Sequence, residues 1–386
     1  MAVEKKHPLI AVATGTRADW GLLSPLAREL RRRGAIVRIV ATNMHLMPQF
    51  GDTWREIEND GFEISARIPA EGDMARIAAM ALDGFSRYLR EENPDAMVIL
   101  GDRCEMLGAA SAALLTGVPI VHVAGGTLSL GAVDDSVRHA ITKMAWLHLV
   151  ETEKCRQRVL AMGEEPERVL TTGAIGVCNS LELPRLSKNE LEEDLGIKVD
   201  SDTFVATMHP TTLTHQPPVE QMREFAKAVD LFMQREPVRF IITYPNNDSD
   251  AAPLIKVLEE LRQKHPSRIL LVPSLGRLRY LSILGYAGAC VGNSSSGIVE
   301  APSFHIPVLD IGTRQQGREC ATSVIHCECS ADDILESLLK VRTPEERRKA
   351  KLACNPYYRE GTIDIMASAI MNAGFVHFPR KHFYPG

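Results

Sequence analysis

Short apolar runs alternate with amphipathic segments along most of the chain. Glycine and polar residues follow each apolar run, and hydrophobic residues at helical spacing come next. This alternation is typical of parallel sheets covered by helices on both faces. Strands are predicted at 9–14, 36–41, 96–100, 119–123 and 169–172, then at 204–208, 239–243, 269–272, 287–291 and 306–311. Helices are predicted at 20–33, 73–91, 104–116, 134–146, 219–234 and 363–372.

The alternation is interrupted after Asn179. Residues 183–194 are charged and include Pro184, which indicates a linker with a short helix. A chain of 386 residues also exceeds the size that one hydrophobic core usually reaches. We therefore expect two doubly wound, Rossmann-like α/β domains facing a cleft, the first at 1–180 and the second at 181–361.

The composition argues against a nucleic-acid-binding, membrane-spanning or metal-binding protein. With 45% hydrophobic and 24% charged residues the chain is an ordinary globular protein, and its net charge of −5 argues against a nucleic-acid partner. No apolar run has membrane-spanning length, and the charged N-terminus is unlike a signal peptide. The eight cysteines lack paired spacing, which favours a cytoplasmic location. The segment His326–Cys329 is interpreted as a strand edge with unrelated thiols, so we expect no metal and no cofactor.

The segment 291–300 (VGNSSSGIVE) joins a predicted strand to a turn of helix. Unpaired N–H groups at the start of a helix form an anion site, and Glu300 can accept hydrogen bonds from the neighbouring hydroxyls of a sugar. Phosphate beside a diol indicates a nucleotide, although a serine–glycine turn can also serve only as a cap. The predicted contacts are Ser294, Ser295, Ser296, Gly297 and Glu300.

Charged side chains collect where strands of the first half end. Such ends share one edge of a parallel sheet, where carboxylates beside cations suit acid–base chemistry on a sugar next to a departing diphosphate. Structural interpretations also exist: Asp134 or Asp135 can cap a helix, and His122 can be a core histidine. Arg103 and Glu105 can form a surface pair. The whole set is Arg17, Asp19, Asp102, Arg103, Glu105, His122, Asp134, Asp135, Arg138 and His139.

In the second half, two more candidates follow predicted strands. His209 precedes Pro210, whose stiff backbone fixes its position, and we expect it to hydrogen-bond a diphosphate. The alternative interpretation is that His209 only caps a helix. Gly276 lies in the polar turn after the strand at 269–272 and is a candidate contact for the nucleotide.

Several motifs occur in a fixed order and resemble the UDP-N-acetylglucosamine 2-epimerase family. They are closer to its hydrolysing branch, which makes N-acetylmannosamine for sialic acid synthesis. The segment at 42–46 is similar to that branch as well, and the match extends from Leu9 to about Leu339. The motifs are GTRADWGLL at 15–23, GDRCEM at 101–106, GAVDDSVRH at 131–139, MHP at 208–210, GNSSSGIVE at 292–300 and TRQQGR at 313–318.

The resemblance implies a glycosyltransferase-B fold whose C-terminal helix, within 362–386, returns to the first domain. It also implies a UDP-sugar substrate, anti elimination of UDP to a 2-acetamidoglucal, and hydration with protonation of C2 from the opposite face. Arg17, His209 and the serine turn would stabilise the leaving diphosphate, with Asp19 beside the substrate. Asp102, Asp134 and Asp135 would carry the proton transfers. We expect a homodimer or homotetramer.

The chain departs from that branch at Thr127 and Leu130, where the branch usually has acidic residues. Either the remaining aspartates carry the proton transfers, or the substrate or chemistry differs. The dipole of the following helix favours ionised Asp134 and Asp135, so His139 becomes the candidate general acid. The first expectation is a UDP-N-acetylglucosamine epimerase. Alternatives are an epimerase of a UDP-2,4-diacetamido sugar of the legionaminic acid pathway, a regulator that binds nucleotide sugars without catalysis, and a glycosyltransferase.

Overall fold

The computed structural model describes residues 7–128, 133–182, 184–211, 216–245, 251–375 and 381–384. The chain forms two compact units. The first unit comprises Met1–Asn179 and Arg359–Gly386, and the second comprises Ser180–Tyr358.

The first unit is built on a seven-stranded parallel sheet. Its central strands consist of almost fully buried residues, because helices cover both faces of the sheet. The strands are β1 (Leu9–Thr14), β2 (Ile36–Thr42), β3 (Ile64–Ile68), β4 (Ala96–Leu100), β5 (Ile120–Val123), β6 (Leu147–Val150) and β7 (Val169–Thr171). Their order across the sheet is β3-β2-β1-β4-β5-β6-β7.

Within the described part of this unit, seven α-helices follow these strands. They are α1 (Arg17–Arg32), α2 (Trp54–Asn59), α3 (Met74–Glu92), α4 (Cys104–Thr116), α5 (Val133–Met144), α6 (Glu153–Ala161) and α7 (Ile175–Glu182), and the boundary between the units falls within α7. Helix α1 begins earlier than the predicted residue 20. The hydroxyl of Thr16 accepts a hydrogen bond from the N–H of Asp19 at 3.2 Å and so caps the helix there.

The second unit is built on a six-stranded parallel sheet with a separate core. The strand order is β10-β9-β8-β11-β12-β13. The strands are β8 (Thr203–Thr207), β9 (Arg239–Thr243), β10 (Ile269–Val272), β11 (Ala289–Gly292), β12 (Val308–Ile311) and β13 (Val324–Cys327). The helices are α8 (Lys188–Leu195), α9 (Pro218–Arg235), α10 (Ala252–Lys264), α11 (Gly276–Leu284), α12 (Ser295–Val299), α13 (Ala331–Val341) and α14 (Pro344–Leu352).

The last helix, α15 (Thr362–Met371), belongs to the first unit and packs against α1. Apolar residues of α15, among them Met366 and Ile370, are buried in the same core as the inner face of α1. A polar contact accompanies this packing, because Arg33 pairs with Asp364 and donates a hydrogen bond to Ser368 at 2.6 Å.

The order in which successive strands are added reverses once in each sheet, and these reversals position the candidate sites. In the first sheet strands are added to one side of β1 and then, from β4, to its other side. In the second sheet the same reversal falls between β8 and β11. Parallel sheets leave a crevice at such a switch point, beyond the carboxyl ends of the strands. Asp102 follows β4, while His209 and Asn293 follow β8 and β11.

Several sequence-based expectations about elements are wrong. Strands β3, β6 and β13 were not predicted, because they are short and carry polar residues such as His148 among the apolar ones. Helix α5 begins at Val133, so Asp134 and Asp135 lie inside its first turn and neither is the cap. Within the described ranges, no helix is long and apolar enough to cross a membrane.

Candidate functional site

A cavity of about 720 Å³ opens in the second unit beyond the carboxyl ends of its strands. This is the location that the switch point between β8 and β11 predicts for a ligand. Its polar walls come from three strand ends and from the starts of α11 and α12. The lining residues are Thr207, His209, Thr243, Tyr244, Pro245, Pro273, Ser274, Leu275, Gly276, Arg277, Tyr280, Ser294, Ser296 and Glu300.

Glu300 is held in this cavity by two serines. Its Oε1 accepts a hydrogen bond from Ser180 at 2.9 Å, and its Oε2 accepts one from Ser296 at 2.5 Å. Ser296 also lies 2.9 Å from the hydroxyl of Tyr280. Because both carboxylate oxygens are fixed in this way, Glu300 presents a positioned acceptor to a ligand with hydroxyl groups.

Arg277 provides positive charge in the same cavity. Burial lowers the pKa of its guanidinium, and the charge of Glu300 acts in the opposite direction. One of its nitrogens lies 3.5 Å from the hydroxyl of Ser180. A partly buried cation next to the serine turn suits an anionic ligand, because charge-assisted hydrogen bonds to phosphate are strong.

The predicted contacts of the serine turn divide into two groups. Ser294 and Ser296 line the cavity, whereas Ser295 is exposed outside it. Gly297 is buried, and a Cβ atom added there would lie 3.3 Å from the side chain of Val308, so this glycine allows α12 to pack closely on β12. The helix starts at Ser295 with Ser294 as its N-cap residue, so all three serines lie at its first turn.

Two further predicted residues line the cavity. The His209 side chain follows β8, and its backbone is hydrogen-bonded to the side chain of Asn293, which follows β11. Gly276 has a φ of +63° at the start of α11, a conformation that costs a glycine little, and its N–H donates to Ser274 at 3.1 Å.

In the first unit, Arg138 connects several polar groups at the carboxyl edge of the sheet. Its guanidinium pairs with Asp102 and donates a 2.6 Å hydrogen bond to the carbonyl of Thr127. Asp135 lies 3.9 Å from the same guanidinium and 3.5 Å from Nε2 of His139. Four of the predicted residues are therefore neighbours: Asp102, Asp135, Arg138 and His139. Asp134, by contrast, is exposed.

A second polar cluster lies at the ends of β1 and β4. Glu105 is fully buried and accepts a hydrogen bond from Arg103 at 2.5 Å, so the expectation of a surface pair is wrong. Burial raises the pKa of Asp19, while the charge of Arg103 opposes that rise. A buried oxygen of Asp19 accepts no hydrogen bond within the described ranges. Arg17 is exposed and pairs with Glu56 at 2.9 Å.

His122 is a core residue. Both ring nitrogens have partners, the carbonyl of Gly101 at 2.8 Å and the hydroxyl of Thr142 at 3.1 Å. Burial lowers its pKa to about 3, so the ring is neutral near pH 7. Of the two sequence-based interpretations, the structure supports the structural one.

Glu151, Arg277 and Tyr280 are among the residues of these surroundings that were not predicted as site residues from the sequence. Arg277 and Tyr280 lie on α11, a helix that was not predicted. Glu151 directly follows β6, and its carboxylate accepts a hydrogen bond from Thr127 at 3.1 Å. Polar residues after strands were the signal that found Asp102, and the same signal would have found Glu151 had β6 been predicted.

Residues 28–371 match the family model described as UDP-N-acetylglucosamine 2-epimerase. The chain belongs to the UDP-N-acetylglucosamine 2-epimerase family. The resemblance that the sequence motifs indicated is therefore confirmed. Leu130 and residues 131–132 of one motif lie outside the described residues. No group of three or more potential metal ligands occurs among the residues that the structure describes.

Two relatives in this family cover most of the chain. The chain is 36% identical to the GDP/UDP-N,N'-diacetylbacillosamine 2-epimerase (hydrolyzing) of Campylobacter jejuni, over 87% of this chain and 88% of that protein. It is 33% identical to the UDP-N,N'-diacetylbacillosamine 2-epimerase (hydrolyzing) of Legionella pneumophila, over 91% of this chain and 92% of that protein.

The solved structures show the same fold. The UDP-GlcNAc 2-epimerase of Neisseria meningitidis, solved with UDP-GlcNAc bound, superposes with a TM-score of 0.79 at 17% identity, covering 94% of this chain and 99% of that one. The chain thus has two doubly wound parallel α/β sheets of the glycosyltransferase-B type, which confirms the predicted fold class.

Proposed function

We propose that the protein is a hydrolysing 2-epimerase of a nucleotide-activated 2,4-diacetamido sugar. The observation that carries the proposal is the 36% identity, over 87% of the chain, to a relative named for that reaction on diacetylbacillosamine. The Legionella relative has the same named sugar. These relatives favour the alternative substrate over UDP-N-acetylglucosamine, in keeping with the departure of the chain from the sialic acid branch at Thr127.

The second unit binds the nucleoside diphosphate in this proposal. Arg277 and His209 stabilise the charge that develops on the departing diphosphate, and the hydroxyls of Ser294 and Ser296 assist them. Glu300 accepts hydrogen bonds from the ribose diol. Stabilising the leaving group is the main task, because the C2 proton becomes acidic only as the C1–O bond stretches and positive charge builds on the ring.

Side chains at the sheet edge of the first unit carry the proton transfers in this proposal. Asp102 takes the C2 proton while the C1–O bond breaks, giving a glucal with a C1–C2 double bond and the free nucleoside diphosphate. The pairing with Arg138 holds the carboxylate of Asp102 at this edge of the sheet. Water then adds to C1 and a proton is delivered to C2 on the opposite face, which inverts that centre.

Turnover assays with purified protein test the proposal. The substrates are UDP- and GDP-linked N,N'-diacetylbacillosamine and UDP-N-acetylglucosamine, each followed by proton NMR in D₂O and by release of nucleoside diphosphate. We expect free diphosphate together with a C2-inverted, C2-deuterated 2,4-diacetamido sugar, and at least tenfold lower kcat/KM for UDP-N-acetylglucosamine, about 1.4 kcal/mol of discrimination.

Each other outcome identifies a different function. Higher kcat/KM for UDP-N-acetylglucosamine, the substrate in the name of the family model, would return that sugar as the substrate. Tight binding without diphosphate release would indicate the non-catalytic regulator. Transfer of the sugar to an added acceptor, with retention of C2 configuration, would indicate a glycosyltransferase.

A further inference from the structure

A carboxylate that the proposed mechanism has not used lies at the catalytic edge of the first unit. Glu151 comes directly after β6, next to the end of β5 in the sheet. Its Oε2 accepts a hydrogen bond from the hydroxyl of Thr127 at 3.1 Å. Within the described ranges its other oxygen has no hydrogen-bond partner, and no cation forms an ion pair with it.

Glu151 and Asp102 are connected through two intervening residues. Arg138 pairs with Asp102 and donates to the carbonyl of Thr127, and the hydroxyl of Thr127 donates to Glu151. The side chain of Arg138 and the whole of Thr127 are more than nine-tenths buried, so this connection is fixed by the surrounding structure. Two carboxylates are therefore held at one sheet edge in different environments, one beside a guanidinium and the other beside a neutral hydroxyl.

We propose that Glu151 is the second proton-transfer residue of the epimerase and that Thr127 positions it. This inference rests on the proposed function. The hydrolysing branch usually has an acidic residue at the position of Thr127. In this chain Glu151, directly after β6, supplies that carboxylate instead. Glu151 takes over the acid role for which the sequence suggested His139, whose Nε2 lies 3.5 Å from Asp135.

The assignment follows from the different partners of the two carboxylates. Asp102, beside Arg138, is suited to remove the C2 proton. Glu151 in its protonated form gives its proton to C2 of the glucal, while the oxygen of water bonds to C1. The proton released by that water restores Glu151, and Asp102 returns the proton taken from C2 to the solvent. One nucleoside diphosphate leaves and one water is consumed.

The decisive variants are Glu151→Gln and the exchange variant Thr127→Glu/Glu151→Thr. Glutamine keeps an acceptor for the Thr127 hydroxyl but cannot donate a carboxylic proton. We expect Glu151→Gln to lower the rate of epimer formation by about 10²–10⁴-fold. Diphosphate release should fall less, so the glucal should accumulate as a vinylic signal in proton NMR. The exchange variant should recover at least tenfold over Glu151→Thr alone.

Glu153→Gln is the matched control, because Glu153 lies on α6 two residues further on and is exposed. It should react like wild type, and the melting temperature of Glu151→Gln should be unchanged. A structural role for Glu151 would give no glucal and no recovery in the exchange variant, and that result would overturn the proposal. Accumulation of glucal in His139→Gln but not in Glu151→Gln would return the acid role to His139.

The same assays separate this inference from the proposed function. If wild type converts at least one nucleotide sugar and Glu151→Gln does so equally well, only the role of Glu151 is wrong. If wild type converts none of them, the proposed function fails, and the role of Glu151 fails with it.

Discussion

The side chain of Asn293 holds the backbone of His209 through both ends of its amide. Oδ1 accepts the N–H of His209 at 2.7 Å, and Nδ2 donates to the carbonyl of His209 at 2.9 Å. These contacts connect the ends of β8 and β11, the two strands beside the switch point. The backbone of Asn293 is held in turn, because its carbonyl accepts hydrogen bonds from Arg314 and Gln315.

Removal of this amide should destabilise the second unit and disturb the position of His209. Asn293→Ala removes both of these hydrogen bonds from the buried His209 backbone, which we expect to cost about 2–4 kcal/mol of unfolding free energy. Urea unfolding measures that loss, and calorimetry with UDP should show weaker binding. Asn293→Asp keeps the acceptor but loses the donor, so its loss should be intermediate. An Asn293→Ala protein as stable as wild type would contradict this account.

Glu300→Ala should weaken nucleotide binding. A hydrogen bond between a charged carboxylate and a diol contributes roughly 1.5–3 kcal/mol, so the dissociation constant for UDP should rise by about tenfold or more. Isothermal calorimetry measures it. Glu260→Ala, at an exposed position of α10, is the control and should bind UDP normally. Unchanged affinity in a folded Glu300→Ala protein would mean that the diol lies elsewhere.

Asp102→Asn should separate catalysis from binding. The amide keeps the shape of the side chain but is not basic, so turnover should fall by about 10²–10⁴-fold while UDP still binds. The exposed Asp83→Asn on α3 provides a charge-matched control. Initial rates and UDP titrations are measured on both proteins, and near-normal turnover of Asp102→Asn would rule out Asp102 as the base.

The sequence predicts the buried frame of the fold better than its edges. Strands such as β1 and β4 are continuous apolar runs, because both faces of the sheet are covered, and their bounds agree with the structure. Strand β6 is only four residues long and contains His148, which hydrogen-bonds the buried carboxylate of Glu164. Sixteen positions separate His148 from Glu164, so their pairing cannot be recognised from the local pattern.

The same limit applies to the candidate sites. The rule that polar residues follow strand ends made Asp102 and His209 candidates, and the strand–turn–helix motif at 291–300 made Glu300 a candidate. The contacts that define their environments join residues far apart in the chain, 120 positions for Ser180 and Glu300 and 24 for Thr127 and Glu151. Such pairings depend on strand order, which the alternation of helices and strands does not determine.

The pair formed by His326 and Asp310 should make the stability of the second unit depend on pH. The two residues are direct partners on β13 and β12, with Nδ1 of His326 2.9 Å from Oδ2 of the buried Asp310. The hydrogen bond with Asp310 is the main cause that raises the pKa of His326 from 6.5 to about 10, with a further contribution from Cys320. Burial acts in the opposite direction.

Because the folded-state pKa is raised, the protonated histidine stabilises the folded state, and this stabilisation is fully present below about pH 6.5. It is lost as the pH rises from 6.5 through 10, when the folded protein also releases the proton. His326→Gln should therefore lower the urea midpoint most at about pH 6 and least above pH 10. A double-mutant cycle with Asp310→Asn isolates the pair, and its coupling energy should shrink over the same interval. A coupling energy that stays constant from pH 6 to pH 10 would show that the charge of His326 does not contribute.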